Sequence, residues 1–436
     1  MISILDSSSP EFADGLTQLL AFAEEDQAEV RTAVQNIIRD VRERGDAAVV
    51  ELTNRFDSQS AESMAQLSLD AADLKSAYES LDPLIRDALN ESAARVRAYH
   101  EAQLNAMGKG EHWQYEDDLG NRLGQRVNAM ARVGIYAPGG KAAYPSTVIM
   151  TAVPARVAGV DEVILCVPTP GGEVNPTLLA AAHLSGVNRV FAVGGAQAVA
   201  AMAYGTDSIP RVDKIVGPGN IFVATAKEMV FGDVGIDMIA GPSEVVIVAD
   251  DSVDPDWVIQ DMFAQAEHDE MAQAIVISDS DTLLQKIEAR LPEMLSRQTR
   301  GAIISKSIKD RSALIRVPDL DQAFDVVNRI APEHLQLALA DAGQYVDKVR
   351  HAGAVFLGAD TTEVVGDYTA GPSHVLPTSG TARFASPLGV YDFQTRTSVI
   401  QCSREGAVRL NRAAAIIAVE EGLDAHAESA RFRVKG

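Results

Sequence analysis

An acidic residue and a histidine stand next to each other in the segment Ala331-Pro332-Glu333-His334-Leu335, just after a predicted helix. Histidine is the usual general base near neutral pH, because its ordinary pKa is about 6.5. A neighbouring carboxylate could activate a water molecule in a second step. The pair therefore predicts acid–base chemistry with Glu333 and His334 as the candidate catalytic residues. The spacing alone is also compatible with a polar loop that has no catalytic role.

A second group of polar residues could bind a metal ion through nitrogen and oxygen atoms. Gln265 and His268 stand three residues apart near the end of a predicted helix, so their side chains share one face. Asp367 and His374 lie in a segment rich in Gly, Pro, Ser and Thr, from Gly366 to Ser386, whose length is typical of a functional loop. The alternatives are an exposed helix end for the first two residues and a capped turn with a surface histidine for the others.

Two more candidates, Glu421 and His426, lie in the C-terminal tail. On one unbroken helix they would be rotated by about 140° and would not share a face. Gly422 could end that helix and Asp424 could begin a new turn, so that both side chains reach one pocket. The alternative is a solvated C-terminal helix. Two histidines, one aspartate and one glutamine would fit a zinc site, although no short motif such as His-Glu-x-x-His is present.

Three glycine-containing turns each connect a predicted strand to a predicted helix, where the helix N-terminus could accept a pyrophosphate. The Gly-x-Gly-x-x-Gly fingerprint of dinucleotide-binding domains is absent. One such turn is usually structural, but three at the strand ends of one parallel sheet would face the same edge and favour a ligand. They are Ala137-Pro138-Gly139-Gly140-Lys141, Gly194-Gly195-Ala196-Gln197 and Gly217-Pro218-Gly219-Asn220.

Short β-rich runs alternate with helical runs from about Arg126 onwards, which predicts parallel sheets covered by helices. We expect two Rossmann-like α/β domains that a duplication could relate, with the site in the crevice between them. Pro292 is expected to end or kink the helix that contains it. The predicted regions are a mainly helical segment (1–125), a first α/β domain with the glycine turns (126–240), a second with the candidate metal-binding and catalytic residues (241–385), and a helical tail (386–436).

Composition limits the partners that we expect. The chain has 436 residues, which predicts more than one domain, and a formal net charge of −23. Such a surface repels phosphate backbones and anionic membranes, so we expect no nucleic-acid partner. Two cysteines make neither a disulfide framework nor a cysteine-based zinc site. No signal peptide or membrane-spanning apolar run is apparent, and a cytoplasmic enzyme is the natural expectation.

These segments together resemble the histidinol dehydrogenase family, in continuous order from about Val127 to His426. The first hundred residues resemble the family only in their helical character and position. Besides the catalytic, glycine and tail segments above, the resemblance rests on Gly134-Ile135-Tyr136, Ala143-Tyr144-Pro145-Ser146, Ala240-Gly241-Pro242-Ser243-Glu244, Gln265-Ala266-Glu267-His268-Asp269, Gly366-Asp367-Tyr368 and His374-Val375-Leu376-Pro377-Thr378-Ser379-Gly380-Thr381-Ala382-Arg383.

The resemblance implies a role for each matching position. Glu333 and His334 would be the acid–base pair. One zinc ion per subunit would be bound by Gln265, His268, Asp367 and His426. The substrate would be contacted by these ligands, by His334, and by Ser243, His374 and Glu421. NAD would be contacted by Tyr136, Gln197 and Asn220.

The implied reaction oxidises L-histidinol through L-histidinaldehyde to L-histidine with two NAD, the last step of histidine biosynthesis. The family forms homodimers whose C-terminal tail reaches the other subunit, so Glu421 and His426 would act in trans. Ser373 stands where many members have Asn, beside His374, and could tune substrate contact. The alternatives are a dehydrogenase of the same fold for another alcohol, a zinc hydrolase in which Glu333 activates water, and a non-catalytic relative that only binds ligand.

Overall fold

The computed structural model of the protein describes residues 2–21, 27–108, 112–139 and 143–434. The described residues form two six-stranded sheets, one three-stranded sheet and the helices given below, and none of these helices is long and apolar enough to cross a lipid bilayer. The strands are β1 (Ser3–Asp6), β2 (Ser68–Leu69), β3 (Trp113–Glu116), β4 (Arg122–Ala129), β5 (Arg132–Tyr136), β6 (Glu162–Cys166), β7 (Arg189–Phe191), β8 (Lys214–Val216), β9 (Gly235–Ile236), β10 (Glu244–Ala249), β11 (Gln273–Ser278), β12 (Ala313–Arg316), β13 (His334–Ala338), β14 (Ala354–Leu357) and β15 (Gln394–Gln401). The α-helices are α1 (Phe12–Leu20), α2 (Gln27–Arg44), α3 (Asp46–Phe56), α4 (Ala71–Ser80), α5 (Pro83–Ala106), α6 (Pro145–Val157), α7 (Pro176–Leu184), α8 (Gly195–Tyr204), α9 (Ile221–Val230), α10 (Pro255–Ala266), α11 (Asp281–Leu295), α12 (Gly301–Arg311), α13 (Leu320–Ile330), α14 (Glu363–Tyr368), α15 (Arg404–Glu420) and α16 (Asp424–Val434).

The two large sheets have the same internal strand order. The first sheet is ordered β2-β7-β6-β5-β8-β9 and the second β1-β12-β11-β10-β13-β14. Neighbouring strands are parallel, except that β2 is antiparallel to β7. In each sheet, five strands that follow one another along the chain are arranged third, second, first, fourth, fifth, which is the doubly wound Rossmann arrangement. The predicted fold class is confirmed, and the repeated order agrees with a duplication.

The central strand β10 explains how the second sheet is packed. All of its residues are buried. Because successive side chains of a strand point to opposite faces, Val245 and Ile247 pack into one core while Val246 and Val248 pack into another. A parallel sheet covered on both faces needs such a continuous apolar strand. Glu244, the one ionisable residue of β10, stands at its first position.

The N-terminal and C-terminal regions contain strands that the sequence did not predict. β1 joins the second sheet beside β12, and β2 joins the first sheet beside β7. The small sheet pairs β15 with β4 and β4 with β3, all antiparallel. Trp113 and Tyr115 on β3 are exposed, and so is every residue of β15 after Gln394. These strands therefore lack the alternation of buried and exposed residues that would have revealed them.

The structure decides three local points, and the prediction for one of them, the placement of Asp367 in the long loop, was wrong. The helix with Pro292 does not end there, because the N–H of Ser296 donates to the carbonyl oxygen of Pro292 (3.2 Å) and completes the last turn of α11. His334 begins the buried strand β13 and does not lie in a polar loop. Asp367 lies on the short helix α14, so the long loop begins only after Tyr368. The four predicted region boundaries stay a prediction.

Candidate active site

The predicted catalytic pair stands at the amino end of β13, beside the amino end of the adjacent strand β10. β10 and β13 are neighbours, with Val245 opposite His334, so Glu244 and Glu333 lie side by side just before this position. Glu333 and His334 are only 5% and 4% exposed. The backbone N–H of Glu244 donates to Oε2 of Glu333 (2.9 Å), and the N–H of Glu333 donates to Oε1 of Glu244 (3.3 Å). The carboxyl group of Glu333 therefore has a fixed position in the protein interior.

The surroundings of His334 determine which ring nitrogen can act as a base. Its Nδ1 lies 3.1 Å from the carbonyl oxygen of Glu244, which can only accept a hydrogen bond. Nδ1 therefore carries the proton of the neutral ring, and Nε2 has a free lone pair. Nε2 is buried without a hydrogen-bond partner among the described residues, 3.9 Å from Oδ1 of Asp367. Burial lowers the pKa of His334 to about 3, which keeps the ring neutral.

Helix α14 brings two further carboxyl groups to His334. Glu363 and Asp367 are one helical turn apart, and with His334 they offer ligand atoms that all lie within 4.8 Å of one another. Burial raises the pKa of Asp367 to about 7. Burial, and then the charges of Asp367 and Glu333, raise the pKa of Glu363 well above its ordinary value. A bound cation would relieve this crowding of buried carboxyl groups.

Gln265 faces the same group from the end of α10, as predicted. With its amide nitrogen on the side of Glu363, it donates to both carboxylate oxygens, at 2.9 and 3.3 Å. The amide oxygen is then turned away from Glu363 and remains available as a ligand. His268 follows the end of α10, and its charge contributes to the lowered pKa values of His334 and His374. Gln265 therefore belongs to the buried cluster, and His268, which is only partly buried, lies close enough to influence two of its histidines.

His374 connects this cluster to the first sheet. Its Nδ1 lies 3.0 Å from the carbonyl oxygen of Asp367, and its Nε2 lies 3.3 Å from Oγ1 of Thr147. Thr147 is in the first turn of α6, the helix that follows β5. Burial lowers the pKa of His374 to about 4. Ser373, the position where the sequence departs from many members, is buried and donates to the carbonyl oxygen of Met150 (3.0 Å), so it anchors the loop to the same helix.

The remaining predicted site residues lie at the edge of the cluster or away from it. Ser243 is partly buried and directly precedes Glu244. Glu421 and His426 are exposed on the tail. Gly422, with a φ of +72°, separates α15 from α16, which confirms the predicted break. Among the described residues, neither His268 nor His426 is part of the group of possible ligands formed by His334, Glu363 and Asp367, so one chain by itself does not assemble the four predicted zinc ligands.

The glycine turns lie together at the carboxyl edge of the first sheet. The hydroxyl of Tyr136, at the end of β5, accepts a hydrogen bond from the N–H of Gly195 (3.1 Å). A Cβ atom on Gly217 would lie 2.1 Å from the carbonyl oxygen of Tyr136, so the third turn packs directly against the end of the strand that leads into the first turn. Gly140 and Lys141 of the first turn are outside the described residues. The predicted common edge is confirmed for the parts of the turns that the structure describes.

Each candidate NAD-binding residue has a distinct environment at this edge. Burial raises the pKa of the Tyr136 hydroxyl above its ordinary value, so it stays protonated. Gln197 is 1% exposed, and neither of its amide atoms has a hydrogen-bond partner among the described residues. The side-chain oxygen of Asn220 caps α9 by accepting from the N–H groups of Phe222 (3.1 Å) and Val223 (3.2 Å). Only the amide nitrogen of Asn220 is therefore left for a ligand.

Sequence reasoning assigned no role to two residues of the cluster, Glu244 and Glu363. Glu244 had a detectable signal, because a carboxylate at the start of an otherwise apolar buried strand is costly unless it has partners. Besides Glu333, it accepts a hydrogen bond from the N–H of Ser379 (3.0 Å). Glu363 had none, since its contacts with Gln265 and His334 arise only from the tertiary fold.

Comparison with known proteins agrees with this geometry. The family model described as histidinol dehydrogenase matches residues 21–434 of the chain. The chain is 55% identical over 433 residues to histidinol dehydrogenase from Pseudomonas putida, covering 99% of this chain and 97% of that protein. It is 55% identical over 431 residues to that from Chromobacterium violaceum, covering 99% and 98%. The crystal structure of histidinol dehydrogenase from Elizabethkingia anophelis matches with a TM-score of 0.90 at 30% identity, covering 100% of this chain and 98% of that one. The chain therefore belongs to the histidinol dehydrogenase family.

Proposed function

We propose that this protein oxidises L-histidinol through L-histidinaldehyde to L-histidine and reduces two NAD molecules in doing so, as the last step of histidine biosynthesis. The observation that carries the proposal is the neutral, buried imidazole of His334, whose unpartnered Nε2 points towards Asp367 beside the fixed carboxyl group of Glu333. An alcohol oxidation needs such a base, and the hydration of an aldehyde needs a second proton acceptor.

The residues of the chain then divide the proton transfers between them. NAD, when bound, supplies the hydride acceptor for both oxidations. Nε2 of His334 takes the proton of the substrate hydroxyl as the hydride leaves the carbon, which yields the aldehyde. Glu333 takes a proton from a water molecule while the water oxygen bonds to the aldehyde carbon, and Nε2 of His334 gives the proton that it took in the first step to the aldehyde oxygen. The neutral Nε2 of His334 then takes a hydroxyl proton of the hydrated aldehyde as the second hydride leaves, and Glu333 releases its proton to solvent.

The buried cluster fits a zinc ion in the chemistry of its donors. An amide oxygen, imidazole nitrogens and carboxylate oxygens make the mixed nitrogen and oxygen set that zinc accepts, and the raised pKa values of Glu363 and Asp367 are those of carboxyl groups that lack a cation. We propose that Gln265, His268, Asp367 and His426 bind one zinc ion per subunit. Zinc would supply a fixed point for the amino and imidazole nitrogens of the substrate.

We propose that NAD binds at the carboxyl edge of the first sheet, in contact with Tyr136, Gln197 and Asn220. The buried, unpartnered amide of Gln197 supports this assignment, because such a group is costly without a ligand. The negative charge at the carboxyl edge of the second sheet also supports the placement of NAD at the first sheet. Asp250 follows β10 and Asp279 follows β11, and the pKa of Asp279 is raised by burial and then by the charges of Asp250, Asp251 and Asp319. That acidic edge would repel a pyrophosphate.

We propose that the active form is a homodimer in which the C-terminal tail of each subunit reaches the site of the other. The tail exposes large apolar side chains that a monomer would leave in water, among them Ile416 (67%) and Phe432 (73%). Glu421, which directly follows α15, and His426, on α16, are exposed as well. In the exchanged arrangement His426 would complete the zinc ligands, and Glu421 would contact the substrate together with Ser243 and His374.

The proposal is tested by mixing zinc-loaded protein with L-histidinol and NAD while NADH and histidine are both counted. Two NADH per histidine, abolished by a chelator, is the expected result. Turnover of another alcohol but not of histidinol would assign a different substrate to the same fold. No NADH with any alcohol would favour a zinc hydrolase or a ligand-binding relative, although a hydrolase would leave the glycine turns of the first sheet without a purpose.

A further inference from the structure

A buried ion pair lies directly beneath the third glycine turn. Lys227 is on α9 and Asp237 follows β9, and their side chains are only 2% and 1% exposed. Nζ of Lys227 donates to Oδ1 of Asp237 and, over 2.9 Å, to the carbonyl oxygen of Gly217. Oδ2 of Asp237 accepts the N–H of the same glycine over 2.7 Å. The pair therefore holds both polar backbone groups of Gly217, the first residue of the turn.

The backbone of this turn has little tolerance for displacement. Gly217 has a φ of +109°, and a Cβ at this position would lie 2.1 Å from the carbonyl oxygen of Tyr136. The hydroxyl of Tyr136 in turn accepts the N–H of Gly195 in the neighbouring turn. The position of Gly217 thus connects two of the three turns to each other. It also sets where Asn220 stands, three residues further along the chain.

Stability alone is a weak reason for such a pair. Desolvation of two buried charges can cancel their attraction, and apolar side chains of the same volume often stabilise a core as well or better. Apolar side chains cannot accept a hydrogen bond from an N–H group and donate one to a carbonyl oxygen, so they cannot fix the orientation of a turn in this way.

We propose that Lys227 and Asp237 are positioning residues for NAD: they fix the backbone of the turn from Gly217 to Asn220 in the orientation that the dinucleotide contacts, without touching it themselves. This inference rests on the proposed binding of NAD at the carboxyl edge of the first sheet. The proposal also explains why a lysine and an aspartate are paired under the turn, so that their charges cancel. An unpaired carboxylate under the turn would repel the pyrophosphate that the turn is built to accept.

The chain offers a matched control on the same strand. Lys214 is the first residue of β8, and Gly217, to which Lys227 donates, directly follows the last residue of β8. The two lysines therefore form their hydrogen bonds at opposite ends of one strand. Nζ of Lys214 lies 3.1 Å from Oδ1 of Asp392 and donates to the carbonyl oxygen of Asp392 over 2.9 Å. Its side chain is 11% exposed. Replacing it removes a largely buried ion pair from the first sheet without altering the glycine turns.

The experiment compares Lys227→Met, Asp237→Asn and Lys214→Met in the full-length, zinc-loaded protein. Asp237→Asn keeps the volume of the side chain, so it can replace Lys227→Met in the comparison if Lys227→Met does not fold. The Kd of NAD is measured by calorimetry, Tm by thermal unfolding, and kcat and both KM values from initial rates. We expect the first two variants to raise the Kd and KM for NAD roughly 10- to 100-fold, with kcat at saturating NAD and KM for histidinol nearly unchanged.

Lys214→Met should lower Tm and leave the affinity for NAD within about twofold. An NAD affinity in the Lys227→Met or Asp237→Asn protein that is no weaker than in Lys214→Met, at a comparable loss of Tm, would overturn the assignment. So would a fall in kcat at saturating NAD with an unchanged KM. Failure of the unaltered protein to bind NAD at all would instead overturn the proposed function, and the two failures are therefore distinguishable.

Discussion

Glu244 and Glu333 each accept a hydrogen bond from the backbone N–H of the other, across the amino ends of the adjacent strands β10 and β13. Most parallel sheets of this kind use their carboxyl edges for ligands. Here the first sheet presents its carboxyl edge and the second its amino edge, and His374 contacts Thr147 between them. The two carboxyl groups therefore hold together the strand ends that form one wall of the candidate site.

Replacing Glu244 by Gln should change how the free energy of unfolding depends on pH. Burial raises the pKa of Glu244 to about 7 from an ordinary 4.5. Between these values the folded protein keeps a proton that the unfolded chain has lost, so this group contributes stability below pH 4.5 that disappears as the pH rises through 7. At about 1.4 kcal/mol per pKa unit, the loss is at most about 3.5 kcal/mol.

Urea unfolding of the zinc-free wild-type and Glu244→Gln proteins across this pH range measures the effect. We expect the free energy of unfolding of the wild type to fall relative to that of the variant as the pH rises. Zinc is removed from both proteins, because metal binding would add its own pH dependence. A difference between the two proteins that stays constant with pH would show that Glu244 does not hold an extra proton when folded.

Replacing Glu333 by Gln should separate the two oxidations. The amide oxygen can still accept the N–H of Glu244, so the local structure is retained, but the side chain can no longer take a proton from water. Aldehyde oxidation should therefore slow by roughly 100- to 10,000-fold, while alcohol oxidation changes far less. Single-turnover rates with L-histidinol and with L-histidinaldehyde measure the two steps separately. Equal slowing of both steps would contradict the role that we give to Glu333.

Replacing Glu363 should weaken zinc binding, because Glu363 turns the amide of Gln265 so that its oxygen can face the metal. Groups that orient a ligand in this way typically contribute a 10- to 100-fold difference in affinity, and we expect about that loss for Glu363→Leu. Glu363→Gln is the matched variant: its amide oxygen can still accept from Gln265, so part of the affinity should return. Competition with a chromogenic chelator gives the affinity, and the shift of Tm on adding zinc gives a second readout. Unchanged zinc affinity in Glu363→Leu would exclude this role.

The four central strands of the first sheet, β5 to β8, could be predicted because burial on both faces leaves a continuous apolar signal in the sequence. β13 could not, since it begins with His334 and includes Gln336, polar residues that the fold buries. Gln336 is accommodated through a hydrogen bond of its amide to Asp261 (2.8 Å), a partner far away in sequence. Asp367 was assigned to a loop because a helix as short as α14 shows no periodicity.

The residues of the candidate site also divide into those that the sequence could indicate and those that it could not. Residues in compact local motifs, such as Gln265 with His268 and Glu333 with His334, could be singled out from spacing and residue type. Their grouping into one cluster came from the resemblance to a known family. Glu363 could not be found by either route, because it matters only through contacts that depend on how α10, α14 and β13 pack together.

If the C-terminal tails are exchanged between subunits as proposed, two inactive variants should restore activity when they share a dimer. His334→Asn removes the proposed base and should slow both oxidations, whereas His426→Asn removes the proposed zinc ligand of the tail. If His426 acts in trans, a heterodimer of the two variants contains one site with both histidines intact and one site with neither. After unfolding and refolding of an equal mixture, about one quarter of all sites should be active. Each variant refolded alone is the control and should remain inactive. If His426 acts within its own subunit, every site lacks one histidine, and the mixture should be no more active than either variant alone.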